Sequence, residues 1–284
     1  MEEKNKVNKS TLYLVGTPIG NLADISERAK KVLSEVDFIA AEDTRNSMRL
    51  LSAYGIRKEL ISYFEHNKRA SGERILERLL GGESCALITD AGMPAISDPG
   101  EDIVRLCADA GICVSVIPGP SAAVSALALS ALSTIRFTFE GFLPAKSGER
   151  KKRLSALKCE ERTMIFYEAP HKLCRTLRDM KDIFGEERKI SLCRELTKLN
   201  EEIIRLTIGE AISLYSEKEP RGEYVLVLEG ASEAQTYDDD ENSALSPKEA
   251  VEALIEGGMP KKDAIKEVAK RLGVPKSDIY NLMI

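Results

Sequence analysis

Tryptophan is absent from this 284-residue sequence, there are only two histidines, and aromatic residues make up 5% of the chain. The core must therefore rest on Leu, Ile, Val and Ala. The six cysteines, Cys85, Cys107, Cys113, Cys159, Cys174 and Cys193, stand alone with no C-x-x-C pair among them. With so few histidines, no zinc site can be read, and no metal is expected. Cys85, Cys113 and Cys193 fall in apolar strand-like runs, where buried reduced thiols are expected; such usage suits the cytoplasm. Long apolar runs are also missing. The stretch Ala122 to Leu132 is too short and too interrupted by serine to span a bilayer, and it reads as a closely packed internal helix. Met1 to Ser10 is polar and lysine-rich, without the apolar centre of a signal peptide, so no membrane association is expected. An excess of positive charge is lacking as well: 41 basic residues face 46 acidic ones, for a net charge of −5. Any grip on nucleic acid must then be local. Finally, there is no G-x-G-x-x-G after the first strand-like run and no G-x-x-x-x-G-K-[ST] anywhere, which argues against dinucleotide enzymes and P-loop NTPases.

What is present is an alternation of strand-like and helix-like segments. Apolar runs at Thr11–Gly16, Asp37–Ala41, Leu60–Phe64, Ser84–Thr89 and Ile112–Ile117 are separated by helical patterns at Ser26–Ser34, Thr44–Tyr54, Arg69–Leu80 and Pro99–Ala110. Continuous apolar strands between helices predict a mostly parallel sheet covered on both faces. From Phe137 the pattern changes. Strands are expected at Arg162–Glu168, Lys189–Arg194, Ile203–Ile208 and Glu223–Glu229, with helices near Lys172–Ile183 and Gly209–Ser216. Adjacent strands without a helix between them predict a mixed sheet. The fold class is therefore α/β, with one α/β domain over 11–134 and a second over 135–231, the boundary lying near Ser133–Phe137. Residues 232–245 include Asp238 to Glu241 and almost no apolar side chains, so they read as an acidic linker. Residues 246–284 read as three short helices resembling a helix-turn-helix. Ser246-Pro247-Lys248-Glu249 has the composition of a capping box.

Three loops follow predicted strands: Gly16 to Leu22, Asp90 to Gly100, and Pro118 to Ala122. In an open parallel sheet, ligands bind outside the carboxyl ends of the strands. Glycines there allow close backbone approach and prolines stiffen the turns. The same loops are also consistent with well-made turns, and Asp98-Pro99-Gly100-Glu101 reads as a capping box for the next helix. Spacing alone indicates an α/β enzyme with a small-molecule cleft.

The series VGTPIGNL, AAEDTR, ITDAGMPAISDPG, VIPGPSA, FEGFLP, FYEAPHK, CRELTK and GEYVLVLEG, in this order over residues 11 to 231, resembles the tetrapyrrole-methylase superfamily. Within it, the pattern is similar to the branch that methylates the ribose 2′-hydroxyl of a cytidine in small-subunit (16S) ribosomal RNA. The resemblance implies two α/β domains with a cofactor cleft between them, a homodimer, S-adenosylmethionine as methyl donor, and ribosomal RNA or the small ribosomal subunit as partner. It also implies cofactor contacts from Pro18, from Asp90, Ala91, Gly92, Met93, Pro94, Ala95, Ile96 and Ser97, and from Ser121 and Ala122. Tyr167, Leu196 and Gly222 of the second domain are expected near the adenine. Enzymes methylating a precorrin-type tetrapyrrole or diphthine would share these loops, and a non-catalytic RNA-binding assembly factor could retain the fold.

A ribose hydroxyl is a weak nucleophile, so a general base is expected to help, typically by about 10²–10⁴-fold. Glu42, Asp43, Glu65, His66, Glu168 and His171 are candidates, and Asp43 and His66 are expected nearest the acceptor, with Arg45 holding a phosphate. Each has a structural alternative: Asp43 could cap the helix starting at Thr44, His66 could be a hydrogen-bonded loop residue, and His171 could belong to a helix start after Pro170. The densest basic run, Arg150, Lys151, Lys152 and Arg153, is the expected RNA contact, with a solvated helix start as the alternative. The nearly charge-balanced C-terminal segment has no such run.

Overall fold

The computed structural model describes residues 6–232, 246–272 and 274–283. Of the predicted acidic linker, residues 232–245, all but residue 232 lie outside the described residues. Five strands form the first sheet: β1 (Thr11–Val15), β2 (Phe38–Ala41), β3 (Glu59–Ser62), β4 (Cys85–Ile88) and β5 (Cys113–Ile117). All pair in parallel in the order β3-β2-β4-β1-β5. The central strands β2 and β4, with sequences FIAA and CALI, are buried at every position. That is what a parallel strand covered on both faces requires. On one face Val15, Ile39 and Ala86 pack against Ala29, Val32 and Leu33 of α1 (Glu27–Glu35) and Leu51 of α2 (Thr44–Ala53). On the other, Leu12, Phe38 and Leu87 pack against Ile75 and Leu79 of α3 (Lys68–Leu80) and Ile103 and Cys107 of α4 (Gly100–Asp109). Cys85 and Cys193 are buried as expected, whereas Cys113 is exposed, because β5 is an edge strand with only one covered flank.

The second sheet has the order β6-β7-β10-β8-β9, from β6 (Phe137–Phe142), β7 (Thr163–Glu168), β8 (Lys189–Arg194), β9 (Glu202–Thr207) and β10 (Tyr224–Leu228). Only β6 and β7 are parallel; the other pairs are antiparallel, giving the mixed sheet expected. β6 was not among the predicted strands. It is an edge strand whose register slips between Phe139 and Gly141, so its side chains do not hold a clean alternation. One face of this sheet, including Met164, Phe166, Leu192 and Leu226, packs on Leu154 of α6 (Ser147–Ala156), Leu173 and Leu177 of α7 (Pro170–Phe184) and Ile208 of α8 (Ile208–Glu217). The opposite face, with Ile165, Val225 and Val227, packs on Ala123, Ala126 and Leu127 of α5 (Ala122–Leu129). The helix that leaves the first sheet after β5 thus covers the second, which joins the two lobes.

The remaining helices, α9 (Pro247–Glu256), α10 (Lys261–Leu272) and α11 (Lys276–Leu282), share a small core of Val251, Ala264, Ile265, Val268 and Ile279. Ser246 closes the predicted capping box: its hydroxyl accepts from Glu249 N, and the Glu249 carboxylate accepts from Ser246 N at 2.7 Å. Among the described residues, no helix is long and apolar enough to cross a membrane.

Candidate cofactor cleft

The loops after β1, β4 and β5 are locked into one rim. Thr17 N donates to Gly92 O at 2.9 Å and Gly92 N donates back to Thr17 O at 3.2 Å. The Thr17 hydroxyl, fully buried, donates to Thr89 O at 3.2 Å and Gly92 O at 3.3 Å. The loops after β1 and β5 touch through backbone alone: a Cβ added to Gly16 would meet Gly119 Cα at 2.6 Å. Only glycine fits such an approach.

The loop after β4 carries an unusual concentration of left-handed backbone. Gly92 (φ 86°), Ala95 (φ 68°) and Ser97 (φ 66°) follow one another within six residues. Non-glycine residues in this region cost of order 1–3 kcal/mol each and persist only where their surroundings enforce them. Here Asp98 does so: its Oδ1 accepts from Ala95 N at 2.9 Å and from Gly100 N at 2.7 Å. This corrects the expected capping box. Asp98 braces its own loop and the first amide of α4, while Glu101 pairs with Arg105. The other oxygen, Asp98 Oδ2, is buried without a hydrogen-bond partner in the protein. Across the opening, Glu195 (φ 50°), Thr197 (φ 67°) and Gly222 (φ 81°) are left-handed too. Glu195 Oε1 accepts from Glu223 N at 2.9 Å and from Lys198 Nζ at 2.9 Å. Burial pushes the Glu195 carboxyl up, but the Lys198 ammonium and the Glu223 amide outweigh it and hold the group below the usual carboxylate range.

Between these two strained rims lies a cleft of about 560 Å³, within the usual size of a small-molecule site. It brings together Asp90, Ala91, Gly92, Met93, Ile96, Ser97, Ser121, Ala122, Tyr167 and Leu196 of the residues expected around a cofactor. Pro18, Pro94, Ala95 and Gly222 do not line it. They lie in the loops that shape it: Pro18 and Pro94 are buried, and Gly222 makes room for Glu195. Glu42, Glu168 and His171 do line the cleft, as do Phe142, Glu195, Lys198 and Tyr224, which the sequence reading missed. Glu195 and Lys198 belong to the CRELTK motif, so their proximity was signalled, but their ion pair was not.

Several polar groups in the cleft are fixed and others are free. Glu168, only 3% exposed, accepts from Thr176 Oγ1 at 2.5 Å and from Ala169 N. Glu42 accepts from Thr89 Oγ1 at 2.9 Å. Ser121 is the N-cap residue of α5, yet its hydroxyl makes no cap hydrogen bond and remains available to a ligand. Burial raises the Tyr167 phenol above its usual range, keeping it neutral. Its ring lies edge-on to Phe139 and Phe142.

Asp43 and His66 do not line this cleft. Asp43 Oδ1 caps α2, accepting from Arg45 N at 2.8 Å and Asn46 N at 3.4 Å. His66 is exposed in a separate shallow depression with Glu65, Asn67 and Lys68. Arg45 is exposed on the first turn of α2, whose Asn46 reaches Asp90 Oδ2 at 3.5 Å, so that turn borders the cleft. Within the basic run, Arg150 requires correction. It is 5% exposed, paired with Asp179 at 2.6 Å, and donates to the carbonyls of Pro144 and Ala145. Lys151 bridges to Asp182 and Asp179, and Arg153 pairs with Glu140. Lys152 is exposed and, among the described residues, forms no ion pair.

The profile of the family Tetrapyrrole (Corrin/Porphyrin) Methylases matches residues 11–212. The chain belongs to the tetrapyrrole methylase family. This methylase is 48% identical to "Ribosomal RNA small subunit methyltransferase I" of Halalkalibacterium halodurans, over 97% of the chain and 95% of the relative. It is 46% identical to the protein of the same name from Bacillus subtilis, over 99% and 96%. For the protein of that name from Escherichia coli O157:H7, the identity is 44% over 96% and 94%. Among solved structures, a diphthine synthase superposes with a TM-score of 0.59 at 11% identity, over 80% of this methylase and 93% of that chain. A uroporphyrin-III-C-methyltransferase from Thermus thermophilus superposes at 0.56 and 19%, over 78% and 94%. At such identities these structures show the fold alone.

Proposed function

We propose that this methylase transfers a methyl group from S-adenosylmethionine to the ribose 2′-hydroxyl of a cytidine in small-subunit ribosomal RNA. The observation that carries the reading is the near-full-length likeness, at 41–48% identity, to proteins named for methylation of that RNA. The cleft is compatible with it. A cationic sulfonium suits an opening lined by Glu42, Asp90 and Asp98, one of whose oxygens lacks a protein partner. The free Ser121 hydroxyl suits a polar end of the same molecule, and Tyr167 and Leu196 suit a nucleobase.

When bound, the cofactor supplies an activated methyl group, so the protein's task is orientation. The rigid rims around Gly92, Ala95 and Ser97 and around Glu195 and Thr197 serve that task, since holding reactants in line contributes roughly 7–11 kcal/mol to a transfer. Glu42, held by Thr89 in the cleft wall, is positioned to accept the hydroxyl proton. We assign the base to Glu42 in preference to Asp43 and His66, because it lines the cleft and they do not. Arg45, on the bordering turn, is positioned for a phosphate. A cytoplasmic homodimer completes the proposal. Exposed apolar side chains on one edge strand of each sheet, Val116 of β5 and Phe137 of β6, together with Ile135 at 89% exposure, suit cover by a second copy.

The test is to map ribose methylation in small-subunit ribosomal RNA from cells with and without this gene. Loss of one cytidine 2′-O-methyl group, restored by the purified protein with S-adenosylmethionine, is expected. An unchanged methylation map, or a methyl group gained by a tetrapyrrole or a protein instead, would contradict the assignment.

A further inference from the structure

α7 begins in the cleft, with Ala169, Pro170 and His171 among the lining residues, and runs away from it for fifteen residues. His171, Arg175 and Arg178 are exposed at i, i+4 and i+7, and so share one face of the helix. At 1.5 Å per residue they lie roughly 6 and 10 Å apart along the axis from the first. Half-buried Lys172 stands beside them. The acidic residues of the helix do not compensate this face. Asp179 is buried against Arg150 and Asp182 pairs with Lys151, so both are turned toward α6. Among the described residues, no carboxylate lies within ion-pair distance of Lys172, Arg175 or Arg178; the contact shown for Arg175 is to the His171 carbonyl, at 3.4 Å. In a chain of net charge −5, this uncompensated strip leads directly into the cleft. The nearby run in α6 has three of its four cations engaged.

We propose that the exposed face of α7 carrying Arg175 and Arg178 is the track on which the RNA backbone docks, delivering the acceptor nucleotide to the cleft past His171. The inference rests on the RNA reading above and names the surface that reading lacks. An extended anionic polymer fits it better than a compact anion does: the cations are spaced along a line, both arginines are exposed, and the line ends where chemistry would occur. Phosphate contacts of this kind dominate RNA affinity and weaken with salt.

The experiment compares wild-type protein with R175Q/R178Q and with the charge-preserving R175K/R178K. Binding to small-subunit ribosomal RNA, deproteinised or in intact subunits, from cells lacking the gene is measured as a function of salt. Loss of two phosphate contacts lowers the slope of log affinity against log salt by about 1.4 on single-stranded RNA. The lysine variant restores the slope, while calorimetry shows the same S-adenosylmethionine affinity for all three proteins. A wild-type slope in R175Q/R178Q, or no rescue by lysine, overturns the track. Binding to phosphatidylglycerol vesicles that disappears in R175Q/R178Q while RNA binding is unchanged also overturns it, in favour of a membrane surface. The underlying reading fails separately, and takes the track with it, if wild-type protein transfers no labelled methyl to either form of the RNA.

Discussion

Gly222 faces Glu195 across a gap too narrow for a methyl group: a Cβ at position 222 would sit 2.5 Å from Glu195 Cγ. Glu195 in turn anchors Lys198 and the Glu223 amide, so one glycine sets the second-lobe rim of the cleft. Gly222→Ala combines this clash with a strained φ of 81°. We expect it to lower stability by about 1–3 kcal/mol and to weaken S-adenosylmethionine binding. Gly222→Ala/Glu195→Ala relieves the clash but not the φ. Thermal denaturation and calorimetry on both variants check this; wild-type stability and affinity in Gly222→Ala would contradict it.

Thr17 ties the first rim. Thr17→Val keeps the shape but removes the buried donor to Thr89 O and Gly92 O. A carbonyl left short of a partner costs about 1–3 kcal/mol. The expected result is a fall in melting temperature together with weaker cofactor binding, since the loop it restrains lines the cleft. A variant that loses stability but binds normally would show that the brace serves the fold only.

Arg150 illustrates the difference between a basic run and a basic surface. Removing one member of a buried ion pair costs about 3–5 kcal/mol, whereas replacing both by apolar residues of similar volume is often neutral. Arg150→Ala should therefore be strongly destabilised, and Arg150→Met/Asp179→Leu should recover much of the loss. The recovered protein should bind RNA with an unchanged salt dependence. A reduced salt slope in that protein would return Arg150 to the RNA interface.

The carboxylates Glu42 and Asp43 are neighbours in sequence with separate tasks. Glu42→Gln retains an acceptor for the Thr89 hydroxyl but cannot take a proton, so kcat should fall by about 10²-fold or more with cofactor affinity retained. Asp43→Ala removes a helix cap worth about 0.5–2 kcal/mol, which Asp43→Ser should restore, and His66→Ala should methylate at the wild-type rate. Single-turnover rates for these four variants distinguish the roles. A large rate loss in both Asp43→Ser and His66→Ala would move the base away from Glu42.

Most of the architecture was legible because its signals are local. FIAA, CALI and YVLVL are buried along their full length, and an unbroken apolar run of that length has few other uses. The loops that form the first rim of the cleft were legible through glycine and proline at strand ends. What escaped depended on partners distant in sequence or on position within a sheet. β6 is a bulged edge strand, so its FTFEGF lacks a clean period. Cys113 sits in an apolar run but on an edge strand, and is exposed. Arg150 looked solvated because its partner, Asp179, lies 29 residues downstream. Asp43 and Glu42 carry the same chemistry, and only the start of α2 decides which carboxylate turns to the helix and which to the cleft.

The most direct test of the cleft itself is a crystal structure with S-adenosylhomocysteine, the product of methyl transfer. The product should lie between the loop of residues 90–98 and the segments at 195–198 and 223–225, in contact with Ser121 and Tyr167. Density for it at any other place, with this cleft empty, would contradict the account.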